Sequence, residues 1–429
     1  MSSLVIRTFP SDHVTPLRAY ASLRARSPER PSFIFEWGGG RYAAVGYRPR
    51  SETLYPNGKD TLATLRQDMG EIHAAAQSEL SPSEFAASTS RDLAAALCLS
   101  LIGFVTYEAL QQSLGLEPWG EMALLSRFMK GPTVVVFDQQ ARTMTIAGTS
   151  DGAVRRCAWE LAQDPNLSPL PLPDMAALPE FLSTAPIDSV FAAKTAAART
   201  RIAAGEVNQL LLARTFKVPP RNADLLDAYR ALRILSPQSH LFFIEFTETP
   251  FAPAMTLFGA AEDLFEKHPT AAPAAETSTD VAATINELEA TLHAGARVGT
   301  PTAAAARLAR TLEAGPRMLH GGAAGYLLPG GGASLALGRA SALLYRGEIS
   351  LSGTGDVTAE GSAGEACQRD AQPVLASLRA AQDALRAREA EVERKREATR
   401  AAEEKAKAEQ LAAQADAAAD QGSKPESDA

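Results

Sequence analysis

Residues Arg201 to Phe246 constrain the fold more tightly than any other stretch of the chain. They read RIAAGEVNQLLLARTFKVPP and then RNADLLDAYRALRILSPQSHLFFIEF. Gly205 is placed to stop a helix that begins near Asp188 or Ser189, because helices commonly end on a left-handed residue that glycine adopts without a Cβ penalty. From Val207 to Val218 the period falls to two. Leu210, Leu212, Phe216 and Val218 share one face, and Gln209, Ala213, Thr215 and Lys217 the other. Pro219-Pro220 closes that strand. Asn222 is a candidate cap for a second helix carrying Leu225, Leu226, Tyr229 and Leu232 at helical spacing. Ser236-Pro237 ends it, and Leu241 to Phe246 reads as a strand. The unit is therefore helix, strand, helix, strand.

The rest of the chain adds elements around it. Ser32 to Trp37 and Gly40 to Pro49 read as two strands joined by the turn Gly38-Gly39-Gly40. Thr133 to Asp138 and Met144 to Ala147 read as a hairpin. Asn166 to Pro186 is rich in Pro, Ser and Leu and reads as a linker. An Ala-, Thr- and Glu-rich helix is expected over about 278–293. From 371 to 419 the composition becomes Ala, Glu, Arg and Lys, a charged helix, with a disordered tail over 420–429. Leu378, Leu385 and Val392 stand seven apart, but Thr399 and Ala406 continue the series weakly, which favours a solvated helix over a dimer zipper. Its pairs Glu391–Lys395 and Glu403–Lys407 add only tenths of a kcal/mol each.

The 429 residues suit one large domain or two interlocked ones. A net charge of −8 excludes non-specific nucleic-acid binding as the main task, since that needs a basic footprint. Cys98, Cys157 and Cys367 show neither CxxC spacing nor a disulfide framework, so a cytoplasmic location is expected. The start, MSSLVIRTFP, has no signal-peptide pattern, and no apolar run is long enough to span a bilayer.

Several blocks in the same order resemble the chorismate-utilising enzymes, most closely the large subunit (component I) of anthranilate synthase. Ala204-Gly205-Glu206-Val207-Asn208-Gln209, Arg214 or Thr215-Phe216, Tyr229-Arg230-Ala231-Leu232-Arg233 and Ser236-Pro237 fill the family's central pattern. Ser32 to Trp37 and Gly40 to Pro49 resemble its S-F-L-L-E-S and G-R-Y-S-F-I-G-Y-R-P. Leu101 to Ala109 resembles a further segment. Arg317 to Tyr326 resembles R-G-x-Y-G-G-x-V-G-Y, Gly338-Arg339-Ala340 falls on I-R-T, and Gly353 to Val357 falls on G-A-G-I-V. The resemblance implies an α+β fold of two interlocked antiparallel-sheet layers covered by helices, divided into a first region over 1–180 and a chorismate-binding-like region over 187–370. The second is internally shortened. Between Pro269–Pro273 and Arg297–Thr300 the family carries a K-E-x-x-E-H helix, a D-L-x-R-N-D segment and an H-x-x-S motif, and none of the three is here. Losing that block must expose strand edges or re-close a smaller sheet, and the Ala-rich segments of 270–315 are candidates to cap the opening. In this family the first motif also forms a tryptophan pocket. Here Trp37 replaces its last serine and Ser236 to Leu241 replaces N-P-S-P-Y-M, which argues against tryptophan binding and leaves Trp37 either filling that space or packing ordinarily.

The family's reaction removes a ring hydroxyl from chorismate, a dicarboxylate, while ammonia adds. It needs Mg²⁺ held by carboxylates, a general acid, and donors for the anionic substrate. By resemblance Thr300, Gly322, Arg339, Gly353 and Gly355 would contact substrate, with Arg339 pairing a carboxylate and the two glycines admitting backbone N–H groups. A surface ion pair is the competing role for Arg339. Glu365 matches one metal ligand, an incomplete site, while Gln368 and Gln372 replace the rest of E-x-x-E-x-x-x-K. Glu313 and Glu360 are substitutes without support from spacing. His320 replaces a tyrosine and is either a stand-in acid or a core histidine. The favoured reading is a non-catalytic scaffold that binds chorismate, a related carboxylate or a protein partner. The alternative is an active, Mg²⁺-dependent lyase fed by a glutamine amidotransferase, and a helical adaptor built on 371–419 is a third.

Overall fold

The structure is a computed structural model that describes residues 4–55, 60–117, 119–120, 123–165, 167–185, 188–220, 223–250, 252–269, 277–294, 298–313, 315–357 and 363–422. It is an α+β fold of two antiparallel sheets clad in helices. The larger, twelve-stranded sheet runs in the order β1 (Val5–Pro10), β8 (Thr143–Gly148), β7 (Thr133–Asp138), β3 (Tyr42–Tyr47), β2 (Ser32–Glu36), β11 (His240–Phe246), β12 (Met255–Ala261), β17 (Ala340–Tyr345), β18 (Glu348–Asp356), β10 (Gln209–Val218) and β14 (Gly299–Thr300), with β9 (Ser183–Ala185) also on β10. The six-stranded sheet runs β13 (Leu264–Lys267), β16 (Ala333–Leu337), β15 (Ala323–Leu327), β5 (Leu101–Val105), β6 (Ser126–Lys130) and β4 (Ser51–Tyr55). The helices are α1 (Pro16–Arg26), α2 (Thr61–Ala76), α3 (Pro82–Phe85), α4 (Ser90–Cys98), α5 (Tyr107–Ser113), α6 (Asp151–Leu161), α7 (Asp188–Ala203), α8 (Leu225–Leu235), α9 (Thr277–Ala294), α10 (Thr302–Leu312) and α11 (Ala363–Gly422).

The alternation of β11 decides how the layers stack. Phe242 and Ile244 join the core that includes Ile102, Phe104, Ala324 and Tyr326 of the smaller sheet, while Phe243 faces helices α1 and α8. There its ring meets Tyr20 and Tyr229 edge-on, with centroids 5.6 and 5.5 Å apart. The expected strand pair and hairpin form as read: β2 pairs β3 across a turn in which Gly39 and Gly40 have φ of +82° and +74°, and β7 pairs β8.

The central unit forms with three adjustments. Gly205 has φ +77° and follows α7, and β10 alternates as expected from Gln209 onward. Arg214, however, joins the buried face, its guanidinium carbon 5.2 Å from the Phe216 ring and 5.9 Å from that of Phe191. Asn222 lies outside the described residues, and the cap of α8 is Asp224, whose side chain accepts from the Leu226 amide. The outer edge of β10 is covered by two short strands, β14 from the region read as shortened and β9 from the linker, and α10 packs on β10.

Helix α11 departs most from expectation. It begins at Ala363, and its first half is core rather than solvated: Cys367, Ala371, Val374, Leu375, Leu378, Ala381 and Ala384 are buried against β18, α8 and their surroundings. Burying a leucine side chain contributes about 1.5–3 kcal/mol, so Leu375 and Leu378 anchor this end firmly. Arg388 pairs with the buried Asp227, and Arg379 pairs with Glu180 of the linker at 3.2 Å. Glu389 and most residues beyond it are exposed, as a solvated helix requires. The helix continues through Gly422, and the rest of the expected disordered tail, 423–429, lies outside the described residues.

Candidate functional site

Strands β17 and β18 pair only between Ala342–Tyr345 and Glu348–Leu351. Beyond that point they part, and β18 continues to Asp356 paired on one side alone, with β10. A cleft of about 450 Å³ opens in the gap. Arg339 and Ala340 line it from the β17 side, and Thr354 and Asp356 from β18. Ser236, Ser239, Glu262 and Asp263 line it from the turns flanking β11 and β12, and Ala366, Arg369, Asp370 and Pro373 from α11.

Two glycines place α11. A Cβ on Gly353 would lie 1.9 Å from the Cys367 carbonyl oxygen, and one on Gly355 2.2 Å from that of Ala363. The close approach that these glycines permit is made by the helix backbone. At 100° per residue, a helix that sets Ala363, Cys367 and Ala371 against the sheet turns Ala366, Asp370 and Pro373 toward the cleft. Asp370 uses that position. One carboxylate oxygen accepts from Arg339 Nε at 2.7 Å, and the other from the Thr354 amide at 2.9 Å and its hydroxyl at 3.1 Å. The Asp370 side chain is 7% exposed and that of Arg339 58%. Arg339 thus lies at the cleft, and its observed partner is a carboxylate of the same chain.

The other expected residues are dispersed. Thr300 is exposed on β14, two strands from β18, where its carbonyl accepts from the Asn208 amide at 2.7 Å. Gly322 is buried where a Cβ would meet the Val105 carbonyl at 2.2 Å. His320 is buried, its Nδ1 3.1 Å from the Arg339 carbonyl, and it borders a void of only about 30 Å³ with Thr215, Met318, Ser341 and Ser352. Such a space holds one or two waters rather than a ring acid. Glu365 is exposed in the first turn of α11, about 140° around the helix from Asp370 at 100° per residue. Gln372, on the same stripe, donates to the Met175 and Ala177 carbonyls of the linker. Glu313 is held by Arg317, whose Nε lies 3.0 Å from both carboxylate oxygens, and by the Ala213 amide at 2.9 Å. Glu360 lies outside the described residues. Among the described residues no group of three His, Cys, Asp or Glu side chains is placed to hold a metal ion. The described residues therefore do not by themselves assemble the Mg²⁺ site that the resemblance implied.

A second polar cluster lies behind the sheet. Glu108 accepts from the amides of Arg317 and Met318 at 2.8 and 3.2 Å, pinning a turn in which Met318 has φ +58°. Burial pushes Glu108 up to about 7, against the pull of those amides and of Arg317. Burial alone would lower Arg317, but Glu313 keeps it above its ordinary value.

Asp370, Arg369 and the Glu108–Arg317 cluster did not emerge from the sequence. The one available signal was the row of small residues Ala363, Cys367 and Ala371 at helical spacing, opposite two glycines two apart on a strand.

Trp37 packs edge-on against Tyr326, with centroids 5.8 Å apart, and His240 Nδ1 accepts from the Gly38 amide at 3.0 Å. The space these residues border measures about 20 Å³.

The description of the chorismate binding enzyme family matches residues 30–254, just over half of the chain, and the match ends before the cleft residues of β17, β18 and α11. Anthranilate synthase component 1 of Streptomyces coelicolor is 28% identical over 261 residues, covering 55% of this chain and 47% of that protein. The chain thus spans about half the length of this curated relative. The crystal structure of anthranilate synthase component I from Streptococcus pneumoniae TIGR4 superposes with a TM-score of 0.58 at 17% identity, covering 80% of this chain and 92% of that one. MenF, the menaquinone-specific isochorismate synthase of Escherichia coli, gives a TM-score of 0.55 at 13% identity, covering 88% and 95%. With the two interlocked sheets and the residues matched, these findings lead to one conclusion: the chain belongs to the chorismate binding enzyme family.

Proposed function

We propose that this chain is a non-catalytic member of its family, a scaffold that binds rather than turns over. The observation that supports this reading is that the substrate anchor and the metal ligand do not face one space. Arg339 looks into the cleft, whereas Glu365 is exposed on another side of α11. A cation held at Glu365 would not neutralise a carboxylate bound at Arg339, and His320 is enclosed where a leaving hydroxyl has no room.

Charge points the same way. The cleft is lined by the acids Glu262, Asp263, Asp356 and Asp370 and by the bases Arg339 and Arg369, a formal balance of −2. Each like-charge pair about 8 Å apart in water costs about 0.5 kcal/mol, so a dianion such as chorismate meets about 2 kcal/mol of repulsion before salt screening. Under this reading a glutamine amidotransferase subunit would have no reaction to feed.

The test is direct. The purified chain is mixed with chorismate, MgCl₂ and an ammonium salt, which replaces any ammonia-donating partner, and anthranilate fluorescence is followed. No product above the enzyme-free rate is expected. Turnover that disappears in Arg339→Ala or Glu365→Ala would establish the lyase reading instead.

A further inference from the structure

We propose that Asp370 is a built-in occupant of a small-carboxylate receptor formed by Arg339 and Thr354, and that removing its carboxylate opens that receptor to a free monocarboxylate. The inference rests on reading the cleft as a binding rather than a catalytic site.

The receptor is made of three donors. Arg339 Nε, the Thr354 amide and the Thr354 hydroxyl converge on one carboxylate at 2.7, 2.9 and 3.1 Å. The amide is available because β18 has left β17: among the described residues its ladder from Ser352 to Asp356 is made with β10 alone, and no strand neighbours the other edge. A guanidinium beside a strand-edge amide and a hydroxyl suits a planar carboxylate, which accepts from both of its oxygens. Asp370 meets that demand with its side chain 7% exposed, so its carboxylate is desolvated while Arg339 remains open to the cleft.

The occupant is held by helix position rather than by a fixed loop. Ala371, Val374, Leu375 and Leu378 keep α11 seated whether or not residue 370 carries a carboxylate. Asp370→Ala therefore removes the occupant and leaves the helix in place, and alanine is the best helix former. The vacated donors face a cleft of about 450 Å³, large enough for a benzoate-sized acid. The chemical class follows from the rim. One carboxylate would replace Asp370, but a second on the same molecule would meet Glu262, Asp263 and Asp356, so monoanions are favoured over dianions.

The experiment compares melting midpoints of the full chain, its Asp370→Ala and Asp370→Asn variants and the double variant Arg339→Ala/Asp370→Ala, each titrated with sodium benzoate and with disodium isophthalate at constant ionic strength. For Asp370→Ala, benzoate at tenfold excess over its dissociation constant should raise the midpoint by roughly 2 °C, with a smaller rise for isophthalate. The unsubstituted chain, Asp370→Asn, whose amide stays in the receptor, and the double variant should need at least tenfold more benzoate for the same rise. If Asp370→Ala fails to fold, Asp370→Ser takes its place in every arm. Equal benzoate responses across the variants, or none in a folded Asp370→Ala, would overturn the proposal. Anthranilate formation is measured on the same samples. Turnover by the unsubstituted chain would sink the non-catalytic reading, and the benzoate result would still decide whether Asp370 fills the receptor.

Discussion

Glu108→Gln should flatten the pH dependence of stability in a way that no surface carboxylate would. Glu108 is buried, one oxygen accepts two amides, and the other is buried without a hydrogen-bond partner among the described residues. Burial raises its titration from an ordinary 4.5 to about 7. A displacement of that size corresponds to about 3 kcal/mol. The sign follows from proton counts. Below 4.5 folded and unfolded chains both hold the proton, and the site adds no pH dependence. Between 4.5 and 7 the unfolded chain has lost a proton that the folded chain keeps, so stability falls as pH rises, and above 7 the full cost is present. Glutamine keeps an acceptor for the Arg317 and Met318 amides and cannot ionise. Urea unfolding of both proteins from pH 4 to 8.5, read as the difference between them, cancels the remaining titrating groups. The variant should match the parent near pH 4 and gain on it steadily, by about 3 kcal/mol at pH 8. A difference that stays constant from pH 4.5 to 8 would refute the argument that Glu108 pays for its burial as a charge.

Three further outcomes follow from the packing. Gly353→Ala places a methyl 1.9 Å from the Cys367 carbonyl and should destabilise the chain by about 3 kcal/mol or more in denaturant titration, because backbone stands opposite and cannot rotate away. Leu378→Ala should cost about 2–5 kcal/mol, whereas ending the chain after Glu389 should leave the melting midpoint within about 1 °C, since what is removed is largely exposed. Free L-tryptophan at millimolar concentration should not shift the midpoint, as the space beside Trp37 and His240 is only about 20 Å³.

What could be read from the sequence was local. The alternation of Leu210, Leu212, Phe216 and Val218, the stop at Gly205 and the apolar stripe of α8 each depend on neighbours a few residues away, and each formed. Arg214 escaped the reading because its charge suggests the solvent face, while its burial depends on Phe191, twenty-three residues earlier, and on Phe216 beside it. The first half of α11 escaped for the opposite reason. Its alanines resemble those of the exposed second half, and only the partner surface distinguishes a small core residue from a solvated one. Of the site, Arg339 was singled out for pairing with a carboxylate, and in the structure it lines the cleft and pairs with Asp370. Asp370 was not, because its meaning comes from a helix seating on two glycines that precede it by fifteen and seventeen residues.

The same seating explains why an internal carboxylate ends up in the cleft at all. Once β18 parts from β17, its edge amide at Thr354 needs an acceptor, and Arg339 beside it attracts an anion. A bound substrate acid would satisfy both while present and leave both to water when absent. A carboxylate fixed on α11 satisfies them permanently, because its position is set by the packing of Cys367, three residues before it, and Ala371, one residue after it, and not by an equilibrium with solute. The helix spacing that brings Asp370 in also carries Glu365 away, since residues five apart differ by about 140° around the axis. In this chain a single helix register thus fills the anion receptor and separates it from Glu365, the residue that the resemblance matched to a metal ligand, and the two consequences cannot be uncoupled by a side-chain rotation alone.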